Sequence, residues 1–449
     1  MLKHLSKLAA LSALGTGSLW GTLARPIGRS QPTERVHAMQ RRGSTASRYV
    51  SLPIVVLIAM GVIGAATVQP AVAQAILVVS ATGIDCQSKH PAYTSIQTAV
   101  NVALPGDTIR VCPGTYAEQV VVTKNNLTIR GSNQDAEREV DRNGESAADQ
   151  HAGLTVLRPS ALPVDPGDPI TGAPRKAMLL INGATGVTIS NLTIDGSAAD
   201  AGAAKFANCR LLGFTLGIYY RNSSGTVAST HTTNIRSAAR CSAGIFAESG
   251  GGGATNVAVN GNTVDNYGSD GVVCNGTGTT CTVTGNTLRG RGPVDEVQLG
   301  IVIRAGAVGR VRLNSVGGHQ CIDPSCGPDP INENSSAGIL VLFGASSTIS
   351  ENRVDNNDVG IYQGASPDCC SISENHLRNN RFFGIVIVDG NGTTSENEIR
   401  GGQFGIGVVA DAVDTVGVLR GDEIRGTTVA PVREFACCGF TATAIVKKD

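Results

Sequence analysis

The sequence predicts an all-β solenoid of stacked coils, and three observations lead there. Six asparagines, each followed two residues later by an aliphatic side chain, recur at Asn262, Asn286, Asn314, Asn352, Asn375 and Asn397. Interleaved with them, a glycine followed by Ile or Val opens a short aliphatic run at Gly244, Gly271, Gly300, Gly338, Gly360, Gly384 and Gly405. These glycines lie 27, 29, 38, 22, 24 and 21 residues apart, a spacing in the range of solenoid repeats. Between the two ladders run stretches of three to five residues with alternating apolar character, as in Gly300–Arg304 (GIVIR), bounded by Asn, Gly and Asp. That alternation predicts short strands separated by tight turns.

One such coil cannot bury its apolar side alone. Stacking coils pairs each strand with those above and below, at about 4.8 Å, and merges the inward aliphatics into one core. An asparagine at the same turn of every coil can then stack amide on amide and satisfy buried backbone. The competing architecture, a β-sandwich with asparagine-rich turns, gives no reason for a register longer than about 8 to 12 residues.

At the front of the repeat stand Tyr93–Ala99 (YTSIQTA), Gly106–Val111 (GDTIRV), Pro113–Glu118 (PGTYAE) and Leu127–Gly131 (LTIRG). Together with the ladders, they resemble the right-handed parallel β-helix repeat family, the pectin-lyase-like superfamily, with a cap similar to that of pectinesterases. The resemblance covers roughly residues 76 to 430 and implies a right-handed parallel β-helix of about ten coils. It also implies a short amphipathic helix over Ile96 to Leu104 that plugs the open end of the core, where apolar side chains and unpaired strand edges would otherwise meet water. The expected organisation is a leader over 1–75, a cap and first coil over 76–131, a polar loop insertion over 132–177, the β-helix over 178–430 and a C-terminal cap or tail over 431–449.

The leader is basic and apolar: Arg41, Arg42 and Arg48 precede the nearly uncharged run Leu52 to Val68, and Ala71-Val72-Ala73 follows. That order reads as a secretory signal peptide cleaved after Ala73 or Ala75, with Met39 as an alternative start. The competing reading is an uncleaved anchor, for which 17 residues are barely enough. Losing residues 1–75 removes eight basic and one acidic residue from 36 of each, leaving 28 against 35. The exported chain is therefore acidic, which argues against nucleic acid as a partner and leaves a polyanion only a local basic patch or a bridging cation. The expected protein is a secreted or cell-surface monomer that meets a membrane only if the leader stays attached.

All twelve cysteines follow residue 85, in the exported part, as disulfides require. Cys86 and Cys112 flank the cap helix and are expected to pair; Cys274 with Cys281 and Cys321 with Cys326 would each close a short loop. Cys209 and Cys241 could join neighbouring coils, and the adjacent pairs Cys369-Cys370 and Cys437-Cys438 could each send one bond up and one down. His319, Cys321 and Cys326 match no common zinc spacing.

For the coils starting at Gly271, Gly300, Gly338, Gly360 and Gly384 the interval from glycine to the next asparagine stays between 13 and 15 residues, whereas that from asparagine to glycine is 9, 14, 24, 8, 9 and 8. Length variation thus sits in one turn. Its two expanded versions, Arg289–Leu299 and Gly317–Ala337, belong to adjacent coils and should wall one groove. Carboxylates gather at the same turn, including Asp270, Asp295, Glu296, Asp323, Asp329, Glu333, Asp355 and Asp358. They are either an acid and base pair, oxygen ligands for calcium, or ordinary turn residues. Asp270, Asp295, Glu296, Asp323, Arg304 and His319 are the catalytic candidates, and Arg291, Tyr267, Arg312, Asp355 and Tyr362 the binding candidates. No cofactor is called for, calcium being the one ion these groups would suit.

Motifs of the superfamily's enzymes are missing. Past the cap there is no pectinesterase aspartate and arginine set, and Ser269-Asp270-Gly271 offers one aspartate where polygalacturonase-like enzymes carry a pair. The only tryptophan, Trp20, lies in the leader, leaving Tyr219, Tyr220, Tyr267, Tyr362, Phe382 and Phe383 as sugar platforms. Two functions remain: a secreted β-helix that binds an extracellular glycan or cell-surface partner, and a polysaccharide lyase, glycoside hydrolase or epimerase using carboxylates beside the expanded turns. Fold analogy does not separate them.

Overall fold

The computed structural model describes residues 74–88, 90–132, 153–199, 213–238, 240–327 and 335–447. Residues 1–73, most of the first half of the 132–177 span, Cys209, Asp329 and Glu333 lie outside the described residues. Three parallel sheets run through the chain. Sheet A holds the strands that precede the asparagine turn, thirteen in all, from Ile76–Val79 to Ala442–Lys447. Sheet B holds the eleven strands that follow the asparagine, from Gly114–Tyr116 to Glu423–Arg425, and sheet C the eleven that follow next, from Val120–Val122 to Ala430–Ala436. The chain visits A, B and C in turn and pairs each strand with its counterpart in the next coil, the arrangement of a right-handed parallel β-helix. Inside the 132–177 span, Thr155–Leu157 is a strand of sheet B and Arg175 opens the sheet C strand Arg175–Asn182. Among the described residues no helix is long and apolar enough to cross a membrane.

The core is a set of aliphatic columns. In sheet C, Ile218, Ile245, Val272, Ile301, Ile339, Ile361, Ile385 and Ile406 stand in register and are buried. In sheet B the aliphatics that follow the asparagines form the matching column, Val264, Leu288, Val316, Val354, Leu377 and Ile399. The two ladders in the sequence turn out to be one packing rule. A Cβ on Gly300 would meet Val316 Cγ1 at 2.5 Å, one on Gly338 Val354 Cγ1 at 2.6 Å, and one on Gly360 Leu377 Cδ2 at 2.7 Å. Each glycine is required because the aliphatic of sheet B presses against its backbone.

The asparagines form a continuous buried ladder. Asn286 Nδ2 and its backbone N–H both donate to Asn314 Oδ1 at 2.9 Å, and Asn314 does the same to Asn352 at 2.9 and 3.0 Å. The second Nδ2 hydrogen of each member goes to a sheet A carbonyl, that of Asn314 to Val283 O at 2.9 Å. The series ends at Asp422, whose Oδ1 accepts from Asn397 Nδ2 at 2.7 Å. A carboxylate suits the last rung, since no further carbonyl awaits a donor there.

The helix Ile96–Val102 caps the core with buried Ile96, Ala99 and Val100. Ser95 caps it by accepting from Thr98 N–H at 3.2 Å, and Glu118 accepts from Ile96 N–H at 2.7 Å and Gln97 N–H at 3.0 Å, satisfying free amides of its first turn. Cys86 bonds to Cys112, Cys274 to Cys281 and Cys321 to Cys326. The adjacent cysteines differ from expectation: Cys369 bonds to Cys370 and Cys437 to Cys438, each pair closing on itself. Cys241 is disulfide-bonded.

Replacing Asn314 by Ala strands buried donors on Asn286 and an acceptor on Val283, at about 1–3 kcal/mol for each group left unpaired. Its thermal midpoint should fall well below that of Asn391→Ala, an exposed side chain on sheet A. Asn314→Asp should also lose stability, because the carboxylate has no hydrogen for Asn352.

Candidate functional site

Sheet C buries aliphatic side chains on its inner face, and its outer face carries the features that resemble a site. Near the N-terminal end, the rings of Phe214 and Phe246 pack 5.1 Å apart. The guanidinium of Arg175 lies 5.1 Å from the Phe214 centroid and that of Arg304 5.5 Å from it. Glu248, fully buried, accepts from Arg175 Nε at 3.1 Å, Tyr219 Oη at 2.7 Å and Asn275 Nδ2 at 2.5 Å. Arg304 Nε in turn donates to Asn275 Oδ1 at 2.9 Å, and Arg175 Nη2 pairs with Asp168 at 2.5 Å. Burial, reinforced by the Glu248 carboxylate, pushes the Tyr219 hydroxyl far above the ordinary phenol range, so it remains a donor.

Asp270 opens the strand Asp270–Asn275 of this face and is 3 % exposed. Burial raises its carboxyl to about 6, with the nearby charge of Arg304 opposing the shift. A segment over residues 165–174 covers part of this cluster. It contributes Asp168, its Gly167 carbonyl accepts from Arg221 Nε at 3.0 Å, and Pro169 and Ile170 lie close to Gly250.

Further along, the same outer face is aromatic. Phe383 and Phe404 stack at 4.9 Å, Phe435 meets both edge-on at 6.0 and 5.7 Å, and Arg433 lies 5.3 Å over Phe435. Tyr362 is on this face between Leu340 and Val386, and Tyr362, Leu340, Leu342, Leu299 and Phe435 are all half-buried.

The expanded turns lie side by side on the border between sheets B and C. They extend the strands Thr287–Val294 and Ser315–Cys321, which pair as Gly292 with His319, Pro293 with Gln320 and Val294 with Cys321 beyond a bulge. Two of the carboxylates expected to converge there share one arginine. Glu296 pairs with Arg291, and Asp295 acts on the same guanidinium. Asp323 accepts from Ser325 N–H at 2.9 Å inside the Cys321–Cys326 loop. Asp270 belongs to the sheet C face instead. Two groups of three convergent metal-ligand side chains occur among the described residues, Asp85 with Cys86 and Cys112 and Asp411 with Cys437 and Cys438, and disulfides occupy the cysteines of both. Among the described residues, no turn carboxylate belongs to either group.

The other candidates have their own partners within the chain. His319 is fully buried, with Nδ1 2.7 Å from Asn357 Oδ1 and Nε2 against the Tyr267 hydroxyl, and burial pushes it down to about 4, so it stays neutral. Tyr267 and Tyr220 point into the core. Arg312 pairs with Glu351 and Asp355 with Arg353 on the surface. Sequence reading missed Arg175, Glu248 and Asp168; the available signal was a glutamate closing the otherwise apolar run Cys241–Glu248.

The class of protein is therefore a right-handed parallel β-helix with a polar cluster and an aromatic strip on the outside of one sheet. Residues 329–416 match the family model described as right handed beta helix region, and the chain is a right-handed β-helix protein. No curated protein matches the sequence. Among solved structures, the native GH136 lacto-N-biosidase from Eubacterium ramulus is 12% identical, with 84% of this chain and 68% of that chain covered and a TM-score of 0.50. The A-module of the Azotobacter vinelandii mannuronan C-5 epimerase AlgE6 is 14% identical, with 79% and 96% covered and a TM-score of 0.39. Tailspike protein 2 of an Escherichia coli O157:H7 bacteriophage is 15% identical, with 72% and 40% covered and a TM-score of 0.44. Identities this low speak for the fold alone.

Asp270 generates a pH prediction. Its folded value of about 6 exceeds the ordinary 3.8, so the folded state binds more protons over that interval and stability falls as pH rises through it. Asp270→Asn should flatten the decline in thermal midpoint between about pH 4 and pH 6 and raise the midpoint at neutral pH.

Proposed function

We propose that this is a secreted or cell-surface β-helix that binds an extended extracellular glycan along the outer face of sheet C. The observation that supports the reading best is the strip of half-buried Leu299, Leu340, Leu342, Tyr362 and Phe435 beside the paired turns. It joins apolar faces, which suit the C–H faces of sugar rings, to the polar rim of Arg433 and Arg291. The disulfides agree with an oxidising compartment outside the cytosol.

A second reading, a polysaccharide lyase, glycoside hydrolase or epimerase, is favoured by Asp270 alone. A buried carboxyl raised to about 6 is placed to give or take a proton near neutral pH.

Affinity electrophoresis against neutral and acidic polysaccharides tests the first reading: Tyr362→Ala should weaken retention by about tenfold, the loss of one aromatic anchor. Incubation with the same panel, with and without calcium, tests the second through unsaturated product and new reducing ends. Turnover abolished by Asp270→Asn would establish an enzyme; retention without turnover would establish the binder.

A further inference from the structure

Two of the disulfides join neighbouring residues. A disulfide stabilises a fold mainly by closing a loop in the unfolded chain, and Cys369–Cys370 and Cys437–Cys438, each with a sequence separation of 1, close almost none. Their surroundings differ. Cys369 is 9% exposed and packs in the aliphatic core, whereas Cys437 is half-buried and Cys438 exposed, in the turn after the last strand of sheet C, Ala430–Ala436. Cys437 and Cys438 also meet a carboxylate, that of Asp411.

That carboxylate is fixed by the backbone around it. Ala410 pairs with Ala436 across adjacent coils, so Asp411 and Cys437 follow at matching positions on neighbouring strands. Cys437 N–H donates to Ala410 O at 2.9 Å, and the N–H groups of Asp411 and Ala412 both donate to Asp389 Oδ1 at 2.8 Å. Cys437 Sγ thereby lies 3.1 Å from Asp411 Oδ1 and 3.8 Å from the Asp411 carbonyl oxygen. Both sulfurs and a carboxylate oxygen of Asp411 fall within 4.8 Å of one another. In the disulfide, neither sulfur has a hydrogen to give that oxygen or a negative charge to give a cation. The similar group of Asp85, Cys86 and Cys112 has another role: Arg110 and Ser88 engage its carboxylate, and its disulfide spans a sequence separation of 26 across the cap.

We propose that Cys437, Cys438 and Asp411 form a site for a soft divalent metal of the zinc class, opened by reduction of the Cys437–Cys438 disulfide. An external dithiol supplies two electrons and two protons and leaves as its own disulfide, so the sulfur–sulfur bond breaks and two thiols result. Zinc then takes two thiolates and one carboxylate oxygen, releases the two thiol protons, and keeps a water as its fourth ligand. Thiolate ligands favour zinc over magnesium or calcium. The exposed Cys438 gives the dithiol access, and the hydrogen bonds to Asp389 and Ala410 hold the carboxylate against the sulfur before any metal arrives. Cys437 packs beside the aromatic cluster of Phe383, Phe404 and Phe435, but the metal site does not depend on what that cluster binds.

The test uses the full chain, either oxidised or treated with a dithiol reductant that is then removed without air. Zinc is titrated against a chromophoric chelator, and cadmium is added in parallel to read sulfur-to-metal charge-transfer absorbance. Reduction should add a zinc equivalent that Cys437→Ser/Cys438→Ser lacks and Cys369→Ser/Cys370→Ser keeps. Asp411→Asn should weaken that equivalent by at least about tenfold, as changes around a metal's ligands do elsewhere. Because Asp411→Asn keeps both cysteines, an oxidised form that melts with the parent separates loss of a ligand from loss of fold. No zinc gained on reduction, a gain that survives Cys437→Ser/Cys438→Ser, or unchanged affinity in Asp411→Asn would overturn the site. Cadmium bound without charge-transfer absorbance would overturn it too, since the ligands would then be oxygen alone.

Discussion

From Asn262 to Asn397 this β-helix depends on a buried amide that must donate and accept along the axis from coil to coil. In Asn314 both hydrogens and the carbonyl oxygen are engaged, one hydrogen with the next coil, one with sheet A, and the oxygen with the coil before. Only a side chain with both capacities can sit in the middle of such a row. The neighbouring contact between each ladder glycine and the sheet B aliphatic is equally restrictive, because it is a backbone approach no Cβ can enter. These two constraints fix the path of the chain through sheets A and B and the entry into C, coil after coil.

Where the path is fixed, length cannot vary. The asparagine-to-glycine turn is the place left free, and there the chain extends the strands Thr287–Val294 and Ser315–Cys321 into a paired flap. The same freedom brings the 165–174 segment over the outer face of sheet C, where it supplies Asp168 to Arg175. Buried charge at that point is tolerated because Glu248 is met by a guanidinium, a phenol and an amide at once. A half-satisfied version of this cluster would be strongly unfavourable.

The candidate residues divide by what a pattern can report. Asp270 and Arg304 were visible as charges at sheet C strand ends, and the structure places them near one another. His319 stood among the catalytic candidates of the expanded turn, yet the turn is an extended strand and its alternation points the ring inward, against Tyr267 and Asn357. Asp295 and Glu296, expected beside Asp323 in one groove, both act on Arg291, while Asp323 accepts from Ser325 within its own disulfide loop. The adjacent cysteines, expected to reach neighbouring coils, close on each other instead.

The sequence by itself determined the repeat, the register and the core columns, because each rests on an interaction that recurs at one spacing: amide on amide, glycine against aliphatic, aliphatic on aliphatic. Only the tertiary structure decided which polar groups meet across coils. Arg175 and Glu248 are 73 residues apart. Arg175 and Glu248 share no period with the ladders, so their meeting depends on the turn lengths between them and on the side of the sheet to which alternation assigns each one.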